Sequence, residues 1–127
     1  MRKPLDKLTY VDQAEAVIGQ LRKNEKSGVI YLTTNKIRNL LSLITELYNM
    51  LDRRSGEIDE KTQSHVQYVR MKIVYEAGRD KDVKEFCEKS EILEHLKAVG
   101  KDSEKLLLVC HYMEALVAYH KFYTNEK

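Results

Sequence analysis

Proline occurs once in this chain and glycine only five times. So few turn formers leave little room for a strand-and-hairpin architecture and suit long helices instead. No stretch offers the roughly 20 largely uncharged apolar residues of a membrane helix. The most apolar run, Leu106–Tyr123, is broken by His111, Glu114 and His120. There is also no apolar N-terminal run of signal-peptide type and no lipidation motif, so a cytoplasmic location is expected. The two cysteines, Cys87 and Cys110, form no C-x-x-C and fall at apolar helical positions. They read as reduced core residues rather than a disulfide or metal pair. Net charge is only +2, which by itself does not announce a nucleic-acid binder. The charge is uneven, with eight Lys/Arg against four Asp/Glu in residues 1–40.

At 127 residues, 43% apolar and 33% charged, the chain has the composition of one well-solvated globular domain spanning 1–127. The expected architecture is all-α, a compact bundle of about five helices around an apolar C-terminal helix. On a helix of about 3.6 residues per turn, the apolar residues of Leu106–Tyr123 cover nearly the whole circumference. Only Glu104, His111, Glu114 and Lys121 share a thin polar line, with Ala118 between them. A helix apolar almost all round is a buried one.

Residues 1–8, with Arg2, Lys3 and Pro4, read as a loose basic arm, and 124–127 as a frayed tail. The first helix is expected to open at Thr9, with Asp12 completing a capping box and Val11, Ala14, Ile18 and Leu21 buried. Val29–Leu32 reads as a loop pinned by its apolar side chains. A second helix starts after Thr33 or Thr34 as N-cap and buries Ile37, Leu40, Leu41, Ile44, Leu47, Tyr48 and Leu51. Asp59 is the expected cap of a third helix, ending at Ala77 before Gly78, with Val66, Val69, Ile73 and Ala77 inward. Asp80 or Asp82 caps a fourth, with Val83, Phe86, Cys87, Ser90 and Leu93 inward. Ile92, Leu96 and Val99 point another way, so a break near Ser90 is an alternative to one continuous helix. Gly100 closes that segment, and Asp102 or Ser103 caps the last helix.

The enzyme signatures H-E-x-x-H, G-x-S-x-G and the phosphate-binding glycine loops are missing. Glu91 and His95 form a lone i, i+4 pair, unlike the two Glu-x-x-His pairs of a di-iron bundle. His111 and His120 lie about 180° apart on one helix and cannot meet at one metal. No metal, cofactor, small-molecule substrate or membrane contact is expected.

Two faces combine positive charge with other contact groups. On the third helix Tyr68, Lys72, Tyr75 and Arg79 form one stripe opposite the apolar line, with His65 at its edge. The cations suit phosphates and the rings suit bases or sugar hydroxyls. Packing of both tyrosines against another helix, with snorkelling cations, is the competing reading, and periodicity by itself favours it. Arg70 sits beside the core line, paired there or reaching out at a seam. On the second helix Arg38, Ser42, Thr45, Asn49 and Arg53 share a flank with Glu46 as its acid. Thr33–Asn35 beside Lys36 present a helix N-terminus of the kind that binds phosphate, or an ordinary capped one. The alternating charges of residues 81–94 describe a solvated or salt-bridged surface.

Three stretches, Leu32–Leu41 (LTTNKIRNLL), Tyr68–Asp80 (YVRMKIVYEAGRD) and Tyr112–Tyr123 (YMEALVAYHKFY), resemble in order and spacing the small helical subunit of type III-A CRISPR effector complexes, the Csm type. The similarity extends from about Tyr10 to Tyr123. The resemblance implies an all-helical bundle without catalytic activity, stacked in several copies along a ribonucleoprotein. Its partners would be other copies of itself, the backbone and large subunits, and the backbones of the target RNA and guide RNA. It places basic positions of the family at Lys36, Arg38, Arg70, Lys72 and Arg79. Arg53, Lys121, Arg2 and Lys3 are further candidates from charge alone. The modest net charge fits a subunit that grips RNA jointly with other chains. A protein scaffold without RNA contact, a helical nuclease and a helix-turn-helix DNA binder are the competing classes. The last lacks a short glycine-containing turn before a basic exposed helix.

Overall fold

The computed structural model describes residues 4–52 and 54–124. Six helices follow one another among them: α1 Tyr10–Gly19, α2 Thr34–Met50, α3 Glu60–Arg79, α4 Lys81–Ser90, α5 Ile92–Ala98 and α6 Ser103–Tyr123. The chain is all-α, and its only β pairings among the described residues are two isolated bridges, Lys23 with Ile30 and Glu57 with Asp102.

The starts of four helices follow one device, a short polar side chain that accepts backbone N–H groups of the first turn. Thr33 receives the Lys36 N–H at the head of α2, and Asp59 receives Thr62 at the head of α3. Asp80 receives Asp82 and Val83, and Asp102 receives Glu104 and Lys105. The expected Thr9 cap is a correction: its side chain makes no cap bond. Entry to α1 runs instead through Asp6, whose carbonyl accepts the Tyr10 N–H at 2.8 Å and whose carboxylate accepts the Leu8 N–H at 2.7 Å. Val11 is likewise exposed, and the buried stripe is Ala14, Val17, Ile18 and Leu21. Tyr10, nearer the centre of that stripe, takes the place expected for Val11 and packs against His111.

The apolar face of α2 packs as its period predicts: Ile37, Leu40, Ile44 and Leu47 are buried, and Leu41, Tyr48 and Leu51 lie half-buried around them. Buried Leu106, Val109, Cys110, Met113 and Leu116 make α6 the central post. Its polar line, with Glu114, Ala118 and Lys121, faces solvent. α1, α2 and α5 pack directly on α6, while α3 joins the core through α2, α4 and α5. Tyr10 meets His111 and Tyr123 donates to Glu15, so α1 and α6 run in the same sense. Ile44 lies by Cys110 and Leu32 by His120, so α2 runs against α6.

Three further features have local causes: the end of α3, which departs from expectation, and the break near Ser90 and the pinned loop, which agree with it. α3 does not stop before Gly78 but continues to Arg79, because Asp80 turns the chain in a single extended residue that already caps α4. The fourth segment is two helices, α4 and α5, and Leu93 is half-buried where it was expected inward. Glu91 at the break adopts a left-handed conformation, φ 55° and ψ 32°. Its neighbours satisfy the groups the break exposes: Tyr112 donates its hydroxyl to the Ser90 carbonyl at 2.9 Å, and the Ser90 hydroxyl accepts the Ile92 N–H. The third concerns Val29–Leu32, where Ile30 and Leu32 are buried while Val29 and Tyr31 are exposed. This loop folds back on residues 22–24 and is fixed to α6 by buried His120, whose ring nitrogen donates to the Leu32 carbonyl at 2.7 Å. Of the expected arm and tail, residues 1–3 and 125–127 lie outside the described residues; Leu5 is half-buried and Thr124 buried.

Two substitutions test the break. Tyr112→Phe strands a buried carbonyl, so stability falls by about 1–3 kcal/mol. In urea unfolding the midpoint drops with an unchanged slope. Glu91→Gly removes the left-handed Cβ strain and raises stability by up to about 1 kcal/mol in the same assay.

Candidate nucleic-acid interface

α2 and α3 lie side by side and antiparallel, because Lys36 meets Asp80 at one end and Glu46 meets His65 towards the other. Their solvent faces therefore form one surface. On the α2 side, Arg38, Asn35, Asn39, Ser42, Thr45 and Asn49 line an open groove of about 510 Å³, with Glu46 at its rim. Two of its hydroxyls are turned to their own helix: Ser42 donates to the Arg38 carbonyl at 3.1 Å and Thr45 to the Leu41 carbonyl at 2.9 Å. Their oxygens remain acceptors, so the donors facing a ligand come from Arg38 and the amides.

On the α3 side the tyrosine stripe is exposed, against the packing reading that periodicity favoured. Tyr75 is 65% exposed and Tyr68 46%. Lys72 stands over the Tyr68 ring, 5.7 Å from its centroid, and Arg79 over Tyr75 at 5.5 Å. These cation–π contacts orient both cations outward along the helix. His65 bridges the two faces, bonded to Glu46 at 2.8 Å and tilted against Tyr68. Met71 and Val74 are exposed beside the stripe, and the sequence reading missed them. The signal was present in their helical positions, next to the tyrosines and away from Val69 and Ile73.

The remaining candidates are placed differently. Lys36 lies at the α2 N-terminus, where its ammonium contacts Asp80 at 2.6 Å. The hydrogen bond from Lys36 holds the Asp80 carboxyl below the ordinary carboxylate range, and the same bond raises Lys36. Arg70 is half-buried beside the core line, donates to the Gln67 side chain at 2.8 Å, and its buried Nε has no partner. Arg79 also lies 4.0 Å from Glu76. Lys121 sits on α6, on the edge that carries Glu114 rather than on the α2–α3 surface. Arg53, Arg2 and Lys3 lie outside the described residues.

Other chemistry is weakly equipped. Among the described residues no group of three or more His, Cys, Asp or Glu is arranged to hold a metal. Glu91 occupies the helix break, and buried His95 packs edge-on against Tyr112. Both cysteines are free and buried, and burial pushes each thiol up to about 12, far from a reactive thiolate at neutral pH. No helix among the described residues is long and apolar enough to cross a membrane.

With this helical framework and basic surface in view, comparison with known proteins is direct. Residues 6–126 match the family model described as Csm2 Type III-A. A Streptococcus thermophilus protein named CRISPR system Cms protein Csm2 is 48% identical over 114 residues, covering 90% of each chain. A Mycobacterium tuberculosis protein of the same name is 39% identical over 114 residues, 89% of this chain and 90% of its own. One from Enterococcus italicus is 38% identical over 95 residues, 72% of this chain and 68% of its own. The chain belongs to the Csm2 family of type III-A CRISPR systems, the family its three sequence stretches resemble.

The Lys36–Asp80 contact makes stability depend on acid. A carboxyl held below its ordinary value of about 3.9 adds stability above that pH and loses it as pH falls through its own lowered value. Asp80→Asn keeps a capping oxygen but removes the ion pair. Denaturant titrations should find it less stable than the parent at pH 7, with the difference closing in strong acid.

Proposed function

We propose that the chain is a non-catalytic, cytoplasmic RNA-binding small subunit of a type III-A CRISPR ribonucleoprotein, stacked in several copies beside the backbone and large subunits. In this reading the α2–α3 surface lies along the backbones of target and guide RNA. The observation that carries it is the exposed set of cations, Arg38, Lys72 and Arg79, on one face formed by two antiparallel helices. Such a face suits phosphodiesters, because Lys72 and Arg79, already held over rings, lose less freedom on binding. The groove of α2 adds the amide donors of Asn35, Asn39 and Asn49, with Glu46 as its one acid.

Within this reading the five basic positions divide. Arg38, Lys72 and Arg79 are direct phosphate contacts. Lys36 contributes at the α2 N-terminus, with part of its charge answered by Asp80. Arg70, half-buried and bonded to Gln67, is the group that would meet a neighbouring strand or subunit at a seam through the outer end of its guanidinium. Sequence readout is left to pairing between guide and target, as in other RNA-guided systems. A protein scaffold without RNA contact is the alternative function.

Titration of the assembled complex with target RNA over a range of salt separates them. Arg38→Ala and Arg79→Ala should each weaken binding and flatten the log–log salt dependence, by about 0.7–0.9 for every phosphate no longer neutralised. An unchanged affinity and slope with assembly intact would leave only the scaffold. Labelled RNA incubated with the purified chain and a divalent metal should stay uncut.

A further inference from the structure

The exposed face of α3 is more than a row of cations. It repeats one arrangement twice: an exposed tyrosine with a cation four residues on, first Tyr68 with Lys72, then Tyr75 with Arg79. Seven residues at 1.5 Å each set the two rings about 10 Å apart along the axis. Met71 and Val74, 58% and 55% exposed, extend the apolar ground between and beside them. Leaving such groups in water needs a reason, because nothing in the bundle covers them among the described residues.

We infer that Tyr75, with Tyr68 as a second site, is a stacking platform for unpaired bases of the bound RNA, while Arg79 and Lys72 hold the adjoining phosphates. The inference rests on the function proposed above and changes its chemistry from backbone contact alone to contact with base faces. Tyr75, with Arg79 over its ring, is the more open of the two, whereas Tyr68 carries Lys72 and also the tilted His65 ring 5.5 Å away, which makes it the lesser site. A duplex keeps its bases stacked on one another, so the rings can take only bases turned out of a helix or lying in a single strand. Charge favours this occupant over a protein. α3 holds four Lys/Arg, of which Arg70 sits beside the core line, and two carboxylates, Glu60 in its first turn and Glu76 within 4.0 Å of Arg79. A polyanion whose bases present flat apolar faces matches both halves of that pattern.

The test uses the assembled ribonucleoprotein and target RNAs carrying 5-iodouridine at each position in turn, a photoprobe that couples to a stacked aromatic ring. The expected result is a crosslink to Tyr75 or Tyr68. It should be lost in the Tyr68→Leu/Tyr75→Leu double variant and kept in Tyr68→Phe/Tyr75→Phe. The leucine variant should also bind target about tenfold more weakly, with its salt slope unchanged because no charge has been removed. No crosslink at any position, with Arg79→Ala still flattening the salt dependence, would overturn the platform and leave the backbone-contact function standing. If the leucine variant folds but fails to join the particle, the face docks protein, and the platform is likewise overturned.

Discussion

Asp80 is the residue through which three helices are tied. Its backbone ends α3 in one extended step, and one carboxylate oxygen accepts the first N–H groups of α4. The other oxygen meets Lys36 at the head of α2. A single side chain thus sets the angle between α3 and α4 and holds the start of α2 beside them. The α2–α3 surface has its relative alignment from this contact and from Glu46–His65 near the opposite end. An ion pair between partly exposed groups adds little stability alone. Here its value is geometric, because the same carboxylate is already fixed by the α4 cap.

Behind that surface the core gives rigidity without polar complexity. α6 offers apolar groups to α1, α2 and α5, so those helices share one support. Two polar groups of α6 taken inside are matched to carbonyls that regular structure leaves over. Tyr112 serves the end of α4 and His120 serves the loop before α2. Each bond joins α6 to a point where the chain changes direction. Unsatisfied carbonyls at such places would be costly, which is why polar residues persist on an otherwise apolar helix.

Much of this was legible in advance. The period of Ile37, Leu40, Ile44 and Leu47 located α2, and short acidic or hydroxyl residues before apolar runs located the cap at Asp59 outright and those at Thr33, Asp80 and Asp102 each to one of two candidates. The same period put Tyr68, Lys72, Tyr75 and Arg79 on one face, though it could not tell exposed rings from rings packed on another helix. That question is tertiary, and only the position of α3 at the edge of the bundle decides it. Pairings between residues distant in the chain, Lys36 with Asp80 and His120 with Leu32, leave no local trace. Val11 and Gly78 misled because neighbouring residues competed better. Tyr10 reached the α6 groove in place of Val11, and Asp80 ended α3 without a left-handed glycine. The break at Glu91 announced itself only as a drift in the apolar pattern, since glutamate gives no turn signal.

The two thiols have a consequence for how the protein ages. Each is buried and kept protonated, so peroxide meets no thiolate at either position. Chains packed closely together would therefore not become covalently linked during oxidative stress, and a particle built from them could still come apart into its original pieces.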